Sequence, residues 1–99
     1  MSQCFFSRQA KADLAEIKAY IARDSRAAAD RLVKALERRS RRLADFPEMG
    51  EKCDQLLPGL RVFSAAGYAI FYRIEGDSIE IARVVSGARD IKALFEGES

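Results

Sequence analysis

The chain has 99 residues and a formal net charge of +2, from 17 Lys and Arg against 15 Asp and Glu. Its residues are 48% hydrophobic and 32% charged, which is typical of a single folded domain and excludes a largely disordered chain. Histidine is absent and the only cysteines are Cys4 and Cys53, so the commonest general base and metal ligand are missing and we expect neither a metal nor a cofactor.

The first half of the sequence predicts a short strand followed by two helices. Residues 3–6 form the strand, and Ser7 can cap the first helix because its hydroxyl accepts from an unpaired backbone N–H. Apolar residues that recur every three or four positions predict an amphipathic helix of about four turns: Ala10, Leu14, Ile17 and Ile21. Residues 24–25 offer a second cap, for a helix over 26–44 that Pro47 prevents from continuing.

The second half of the sequence predicts a loop at 47–59 and then three strands. The strands alternate in polarity and are rich in Ile, Val, Tyr and Phe: 60–65, 68–74 and 79–85. Tight hairpin turns at 66–67 and 76–77 join them. The order β-α-α-β-β-β predicts one α+β domain over residues 1–99, in which an N-terminal strand and an αα-hairpin precede a three-stranded antiparallel meander.

The two turns predict which residues of neighbouring strands face each other. If each is a two-residue turn, the facing pairs are Phe63 with Ile70, Arg61 with Tyr72, Ile74 with Ile79, Arg73 with Glu80, and Ile70 with Arg83. Arg73 and Glu80 then form an ordinary cross-strand pair. Arg83, partly buried opposite Ile70, would require a carboxylate partner.

Side-chain alternation predicts that both faces of this sheet are apolar. The richer set is assigned to the face that packs on the helices: Phe63, Tyr68, Ile70, Tyr72, Ile74, Ile79, Ile81 and Val85. The opposite face holds Leu60, Val62, Phe71, Ala82 and Val84, together with Arg73 and Glu80. This opposite face is too apolar to be solvated, so that either a partner binds it or a loop or the C-terminal tail covers it.

Membrane insertion and secretion are not expected. No apolar run approaches the roughly 20 residues that span a bilayer, and residues 1–13 lack the apolar core of a secretory signal. We therefore expect a cytoplasmic protein with reduced cysteines and no membrane partner.

Residues 57–95, LPGLRVFSAAGYAIFYRIEGDSIEIARVVSGARDIKALF, closely resemble the C-terminal half of the RelE/ParE toxin superfamily. The motifs that carry the resemblance are LPGLR, GYxIFYR, IEIxRVxxGxRD and DIxxLF, after a helical hairpin that ends in FPEMG. They are most similar to the ParE branch, also called plasmid stabilisation proteins. One departure is Ser86, where relatives commonly carry a histidine.

The resemblance implies a bacterial toxin encoded together with an antitoxin. ParE-like toxins inhibit DNA gyrase, whereas RelE-like toxins cut mRNA in the ribosome. The antitoxin of a ParE-like toxin is typically a ParD-like ribbon-helix-helix protein whose C-terminal segment folds onto the toxin, so operator DNA is reached only through the antitoxin. The opposite apolar face then supplies the candidate antitoxin-binding residues: Leu60, Val62, Phe71, Arg73, Ala82 and Val84.

The residues that RelE-like nucleases use are mostly missing at the matching positions. Cleavage by 2′-OH attack needs a base, cations and an acid, which RelE-like members supply with sheet lysines and arginines and a C-terminal tyrosine. The arginine of the middle strand falls on Ala69, and the tyrosine falls on Phe95. The lysines fall near Leu60 and Val62, whereas the arginine after the last strand is retained as Arg89.

The resemblance therefore implies a ParE-like toxin that is not an enzyme. The alternatives are a ribosome-dependent endoribonuclease of RelE type with an atypical site, and an inactive module that only binds its antitoxin as a co-repressor. Arg61, Arg83 and Arg89 are candidate target-binding or structural arginines. Arg89 and Asp90 can also hold the turn and tail against the sheet, with Leu94 and Phe95 docked in the core.

The segment 31–42 carries six Arg or Lys and one Glu. The simplest interpretation is a solvated helix face with an i,i+4 pair between Glu37 and Arg41. The alternative is that Arg38, Arg39, Arg41 and Arg42 meet acidic residues of the antitoxin or phosphates near a gyrase–DNA complex.

Overall fold

The structure is a computed structural model that describes residues 3–87 and residue 95. It confirms an α+β fold with a strand, two helices and a strand meander. The elements are β1 (Gln3–Phe6), α1 (Arg8–Ala22), α2 (Arg26–Asp45), β2 (Glu51–Lys52), β3 (Leu60–Ala65), β4 (Tyr68–Glu75) and β5 (Ser78–Ser86). Among the elements of residues 3–87, only the two-residue strand β2, within the segment predicted as loop, was not predicted from the sequence. Neither helix has the length and apolar character that a membrane crossing needs, as far as the described part of the chain goes.

Both predicted caps begin helices, the first at Ser7 and the second, predicted within residues 24–25, at Ser25. The Ser7 hydroxyl accepts from the Ala10 amide at 3.0 Å, and the Ser25 hydroxyl accepts from the Ala28 amide at 3.1 Å. Ser7 also donates to the Ala82 carbonyl at 2.8 Å, which ties the start of α1 to β5. The helix start is therefore anchored to the sheet as well as capped.

The five strands form one sheet in the order β1-β5-β4-β3-β2. The strand β1 runs parallel to β5, and every other pair is antiparallel. A parallel pair needs a crossover connection, and the helical hairpin between β1 and the meander provides it. The N-terminal strand thus lies at one edge of the sheet and places α1 and α2 over one face.

The predicted pairing of β3, β4 and β5 is confirmed from the turns as far as one irregularity between β4 and β5. The pairs Phe63–Ile70 and Ile74–Ile79 are confirmed, as are Arg61–Tyr72 and Arg73–Glu80. Between Phe71 and Tyr72 the pairing with β5 shifts by one residue. Tyr72 faces Ile81, but Phe71 faces Arg83 rather than Ala82. Ala82 is the extra residue of a β-bulge.

The bulge makes three predictions wrong. Ile70 faces Val84 rather than Arg83. Val84 belongs to the core under the helices, and Val85 belongs to the opposite face, which is the reverse of the prediction. An inserted residue moves every later side chain of a strand to the other face, because the side-chain period of a strand is two.

Two apolar cores lie on the two faces of the sheet. The helix-side core contains Ala10, Leu14, Leu36, Leu43, Ala44, Ile70, Tyr72, Ile79, Ile81 and Val84. The core on the opposite face contains Cys53, Leu60, Ala69, Phe71, Val85 and Phe95, with Leu56, Leu57, Val62 and Ala82 packed against it. The chain's own loop and Phe95 thus cover much of this face, which is the second of the two alternatives that the sequence left open.

Candidate functional site

The opposite face of the sheet is filled by apolar side chains from the 53–57 loop and from residue 95. The rings of Phe71 and Phe95 meet edge to face, with centroids 5.0 Å apart and planes at 63°. The Cys53 amide donates to the Leu60 carbonyl at 2.7 Å, which fixes the loop to β3. Leu60 and Phe71 are therefore buried within the chain and are not part of an exposed patch.

The expected antitoxin-binding residues do not form one surface. Val84 is buried under the helices, so it was wrongly placed on this face. Val62 and Ala82 are half-buried at the border of the second core. Of the six residues, only Arg73 is exposed, and its Nη2 lies 2.7 Å from Oε1 of Glu80.

One row of this face stays open to solvent. Phe5 of β1 pairs with Glu80 of β5, which pairs with Arg73 of β4. The Phe5 side chain is 54% exposed, although it carries a large ring. We call Phe5, Glu80 and Arg73 the open row. It combines an exposed aromatic ring on the edge strand β1 with an ion pair between the inner strands β5 and β4. The sequence did not indicate Phe5 because the partner of β1 was unknown.

Arg61 has a structural role. Its Nη1 donates to the Gly50 carbonyl at 2.8 Å and to the Glu48 carbonyl at 3.4 Å. The buried Tyr72 hydroxyl holds the same loop, since it donates to the Pro47 carbonyl at 2.7 Å and accepts from the Gly50 amide at 2.8 Å. Burial raises the pKa of Tyr72, with the Gly50 hydrogen bond and Arg61 acting in the opposite direction.

Arg83 has the carboxylate partner that its expected burial required. Its Nε and Nη2 donate to Asp13 at 2.8 and 3.0 Å, and the Val84 amide donates to the same carboxylate at 2.9 Å. Asp13 is 7% exposed, between the core residues Ala10 and Leu14. The burial of Asp13 could have been inferred from its position three residues after Ala10, because residues i and i+3 share a helix face.

The remaining expectations concern metals, the tail and the basic helix. Within residues 3–87 and residue 95, no group of three or more His, Cys, Asp or Glu is placed to hold a metal ion. Arg89, Asp90 and Leu94 lie outside the described residues, whereas Phe95 is docked in the second core as predicted. The predicted Glu37–Arg41 pair is wrong, because the ion pairs of the described residues are Lys18–Asp30, Arg73–Glu80 and Arg83–Asp13.

The order of a strand, a helical hairpin and an antiparallel meander is the one that the resemblance to the RelE/ParE superfamily implies. The structure is similar to a chain of a solved "Chromosomal ParDE TA system from P. aeruginosa", with a TM-score of 0.73 at 22% identity. The similarity covers 87% of this chain and 96% of that chain. Residues 4–91 match the family described as the ParE toxin of type II toxin-antitoxin system, parDE, so the chain belongs to the ParE toxin family.

Three curated relatives are toxins, of which two are named ParE and one RelE. Toxin ParE3 of Caulobacter vibrioides is 36% identical over 52 residues, which are 52% of each chain. Toxin ParE1 of Mycobacterium tuberculosis is 33% identical over 64 residues, 64% of this chain and 65% of that protein. Toxin RelE3 of Caulobacter vibrioides is 31% identical over 77 residues, 77% of this chain and 84% of that protein. The matches to the two ParE proteins thus span between about half and two thirds of their lengths.

Proposed function

We propose that this chain is the toxin of a type II toxin–antitoxin pair, that it inhibits DNA gyrase without being an enzyme, and that a ParD-like antitoxin neutralises it in the cytoplasm. Membership of the ParE toxin family supports the toxin assignment. The gyrase target follows from the resemblance to the ParE branch.

The packing of Phe95 is the observation that most strongly supports a toxin that does not cleave RNA. The position that would hold the proton-donating tyrosine of a nuclease is 2% exposed and lies against the ring of Phe71. The position of a catalytic arginine is occupied by Ala69, which is 5% exposed in the same core. Arg61 is engaged with the backbone carbonyl of Gly50. At these positions apolar packing replaces the groups that would transfer protons or stabilise charge.

An endoribonuclease of RelE type is the second candidate, because the relative named Toxin RelE3 matches 77% of the chain. Two assays on the purified full chain separate the candidates. One follows supercoiling of relaxed plasmid by gyrase, and the other follows cleavage of mRNA during translation. Loss of supercoiling with intact mRNA supports the proposal, whereas cleaved mRNA with normal supercoiling overturns it. Activity in neither assay would also contradict it and favour the co-repressor.

For the antitoxin we propose the open row as part of its contact surface. Phe5 presents an exposed aromatic ring beside the Arg73–Glu80 pair, and aromatic and arginine side chains are enriched among residues that dominate binding energy. Phe5 and Arg73 are exposed, unlike Leu60 and Phe71, which are buried in the second core.

The Phe5→Ala variant tests this surface. It should weaken binding of the antitoxin about tenfold or more, as expected for truncation of an interface anchor that contributes ~1.4 kcal/mol or more. Tyr20→Ala is the matched control, because Tyr20 is an exposed aromatic residue on α1 outside the open row. Titration calorimetry with the antitoxin measures both. Equal affinities of the two variants for the antitoxin would show that the open row is not part of the interface.

A further inference from the structure

The outward face of α2 is exclusively basic over three turns. Between residues 31 and 42, every exposed residue is Arg or Lys: Arg31, Lys34, Arg38, Arg39, Arg41 and Arg42. The other six positions of this segment are buried or half-buried, including its one acidic residue, Glu37. We call the six exposed residues the basic stripe.

Among residues 3–87 and residue 95, no ion pair involves the basic stripe. The ion pairs found in residues 3–87 lie elsewhere, and one of them engages the nearby Asp30 with Lys18 at 3.4 Å. Arg42 lies over the ring of Phe46, 5.3 Å from its centroid. This contact brings no negative charge to the guanidinium. Asp45 is the single acidic residue that lines the same shallow depression as the arginines at positions 38, 39, 41 and 42.

Charge is separated across the molecule. The segment 31–42 carries five net positive charges, whereas the whole chain carries only +2, so the remainder is negative by three. A stripe of this kind creates a strong local field even though the net charge is small. The field is expected to attract a polyanion to this one helix.

We propose that the basic stripe binds the phosphate backbone of a nucleic-acid duplex directly, without the antitoxin. The stripe is about 17 Å long at 1.5 Å per residue, which matches roughly five successive phosphates of one strand. Arginine suits this ligand because its planar guanidinium donates in pairs to phosphate oxygens. An acidic protein is a poorer fit, since stable protein interfaces have an apolar centre and the exposed residues from 31 to 42 include no apolar side chain.

Fluorescence anisotropy of labelled 20-base-pair duplexes tests the proposal with the full chain. One duplex is DNA and the other is RNA of the same sequence. Comparing their affinities shows whether the stripe prefers DNA or RNA. The logarithm of the affinity should fall with the logarithm of salt concentration with a slope of about −4 to −5, as expected for five neutralised phosphates. Replacing arginines 38, 39, 41 and 42 with Gln should reduce the magnitude of that slope by about 3 to 4.

A matched variant removes the same number of charges elsewhere. Replacing Arg8, Lys11, Arg23 and Arg26 with Gln alters four exposed basic residues outside the stripe. Circular dichroism melting checks that both variants are folded. The proposal requires that the stripe variant alone loses binding. It is wrong if neither duplex binds, if both variants lose binding equally, or if polyglutamate of equal charge competes better than unlabelled duplex.

Discussion

The carboxylate of Asp13 on α1 accepts two hydrogen bonds from the guanidinium of Arg83 on β5, at 2.8 and 3.0 Å. The same carboxylate accepts from the Val84 amide at 2.9 Å. The strand β1 ends its pairing with β5 at Ile81. Beyond Ile81, Asp13 accepts a hydrogen bond from a backbone amide of β5, as a carbonyl of a neighbouring strand would. This contact also fixes α1 to the sheet.

Replacing Asp13 with Ala should therefore be strongly destabilising. The change removes two hydrogen bonds that Arg83 donates to Asp13 and the acceptor of the buried Val84 amide, and breaking a buried pair costs about 3–5 kcal/mol. Urea unfolding followed by circular dichroism measures the loss.

The exposed pair Arg73–Glu80 provides the control for that experiment. Its side chains are 44% and 28% exposed, against 13% and 8% for Arg83 and Asp13. Arg73→Ala should cost less than about 1 kcal/mol, because exposed ion pairs contribute little. Similar losses for Asp13→Ala and Arg73→Ala would show that burial of the first pair has no energetic consequence.

Tyr72→Phe should destabilise the chain by about 1–3 kcal/mol, the cost of leaving buried polar groups unpaired. The variant keeps the ring in the core but removes the hydroxyl that bonds to Pro47 and Gly50. Tyr68→Phe is the control, because Tyr68 lies at the border of the same core and no hydrogen bond of its hydroxyl is found among the described residues. Denaturant midpoints compare the two, and equal midpoints would contradict a structural role for the Tyr72 hydroxyl.

The sequence predicts the local parts of this fold well, because turn chemistry and helix caps act over a few residues. The hairpin turns have positive φ at Ala66, Gly67 and Gly76, and they fix the register next to them. The pair Arg73–Glu80 could accordingly be predicted from the turn alone. The caps Ser7 and Ser25 were predictable for the same reason.

The non-local parts were not predictable in this way. Nothing in the residues around Ala82 marks a bulge, yet that one insertion decides which of Val84 and Val85 faces the helices. The parallel pairing of β1 with β5 depends on distant contacts, and so does the covering of the second face by Leu56 and Leu57. Side-chain alternation identifies an apolar face but not what covers it, so the sequence left both a partner and the chain's own loop or tail as possible covers.

Stability should fall as the pH rises from about 9 to about 11, in part because of Cys4. Burial raises the pKa of the Cys4 thiol to about 11, and the nearby Arg41 opposes this only partly. The folded state thus holds the thiol proton more tightly than the unfolded state does. That contribution is complete below the unfolded pKa and is lost as the pH passes through the folded value.

The Cys4→Ala variant isolates this effect. Its loss of packing is independent of pH, so the difference in unfolding free energy between wild type and variant should shrink as the pH rises from 8 to 11. Urea titrations at several pH values measure that difference. A difference that stays constant over this range would mean that Cys4 titrates normally in the folded protein.

The contact between Phe71 and Phe95 should be energetically coupled. Both side chains are nearly fully buried, and their rings meet edge to face at 5.0 Å. Each change to Leu should destabilise the chain, and the double variant should lose about 0.5–1.5 kcal/mol less than the sum of the single losses, which is the value of an aromatic pair beyond its buried area. A cycle through Phe71 and the exposed Phe46, whose rings make no contact, should show no coupling. Additive losses for Phe71 and Phe95 would mean that residue 95 does not pack on β4 in solution, and the case against a nuclease built on that packing would fall with it.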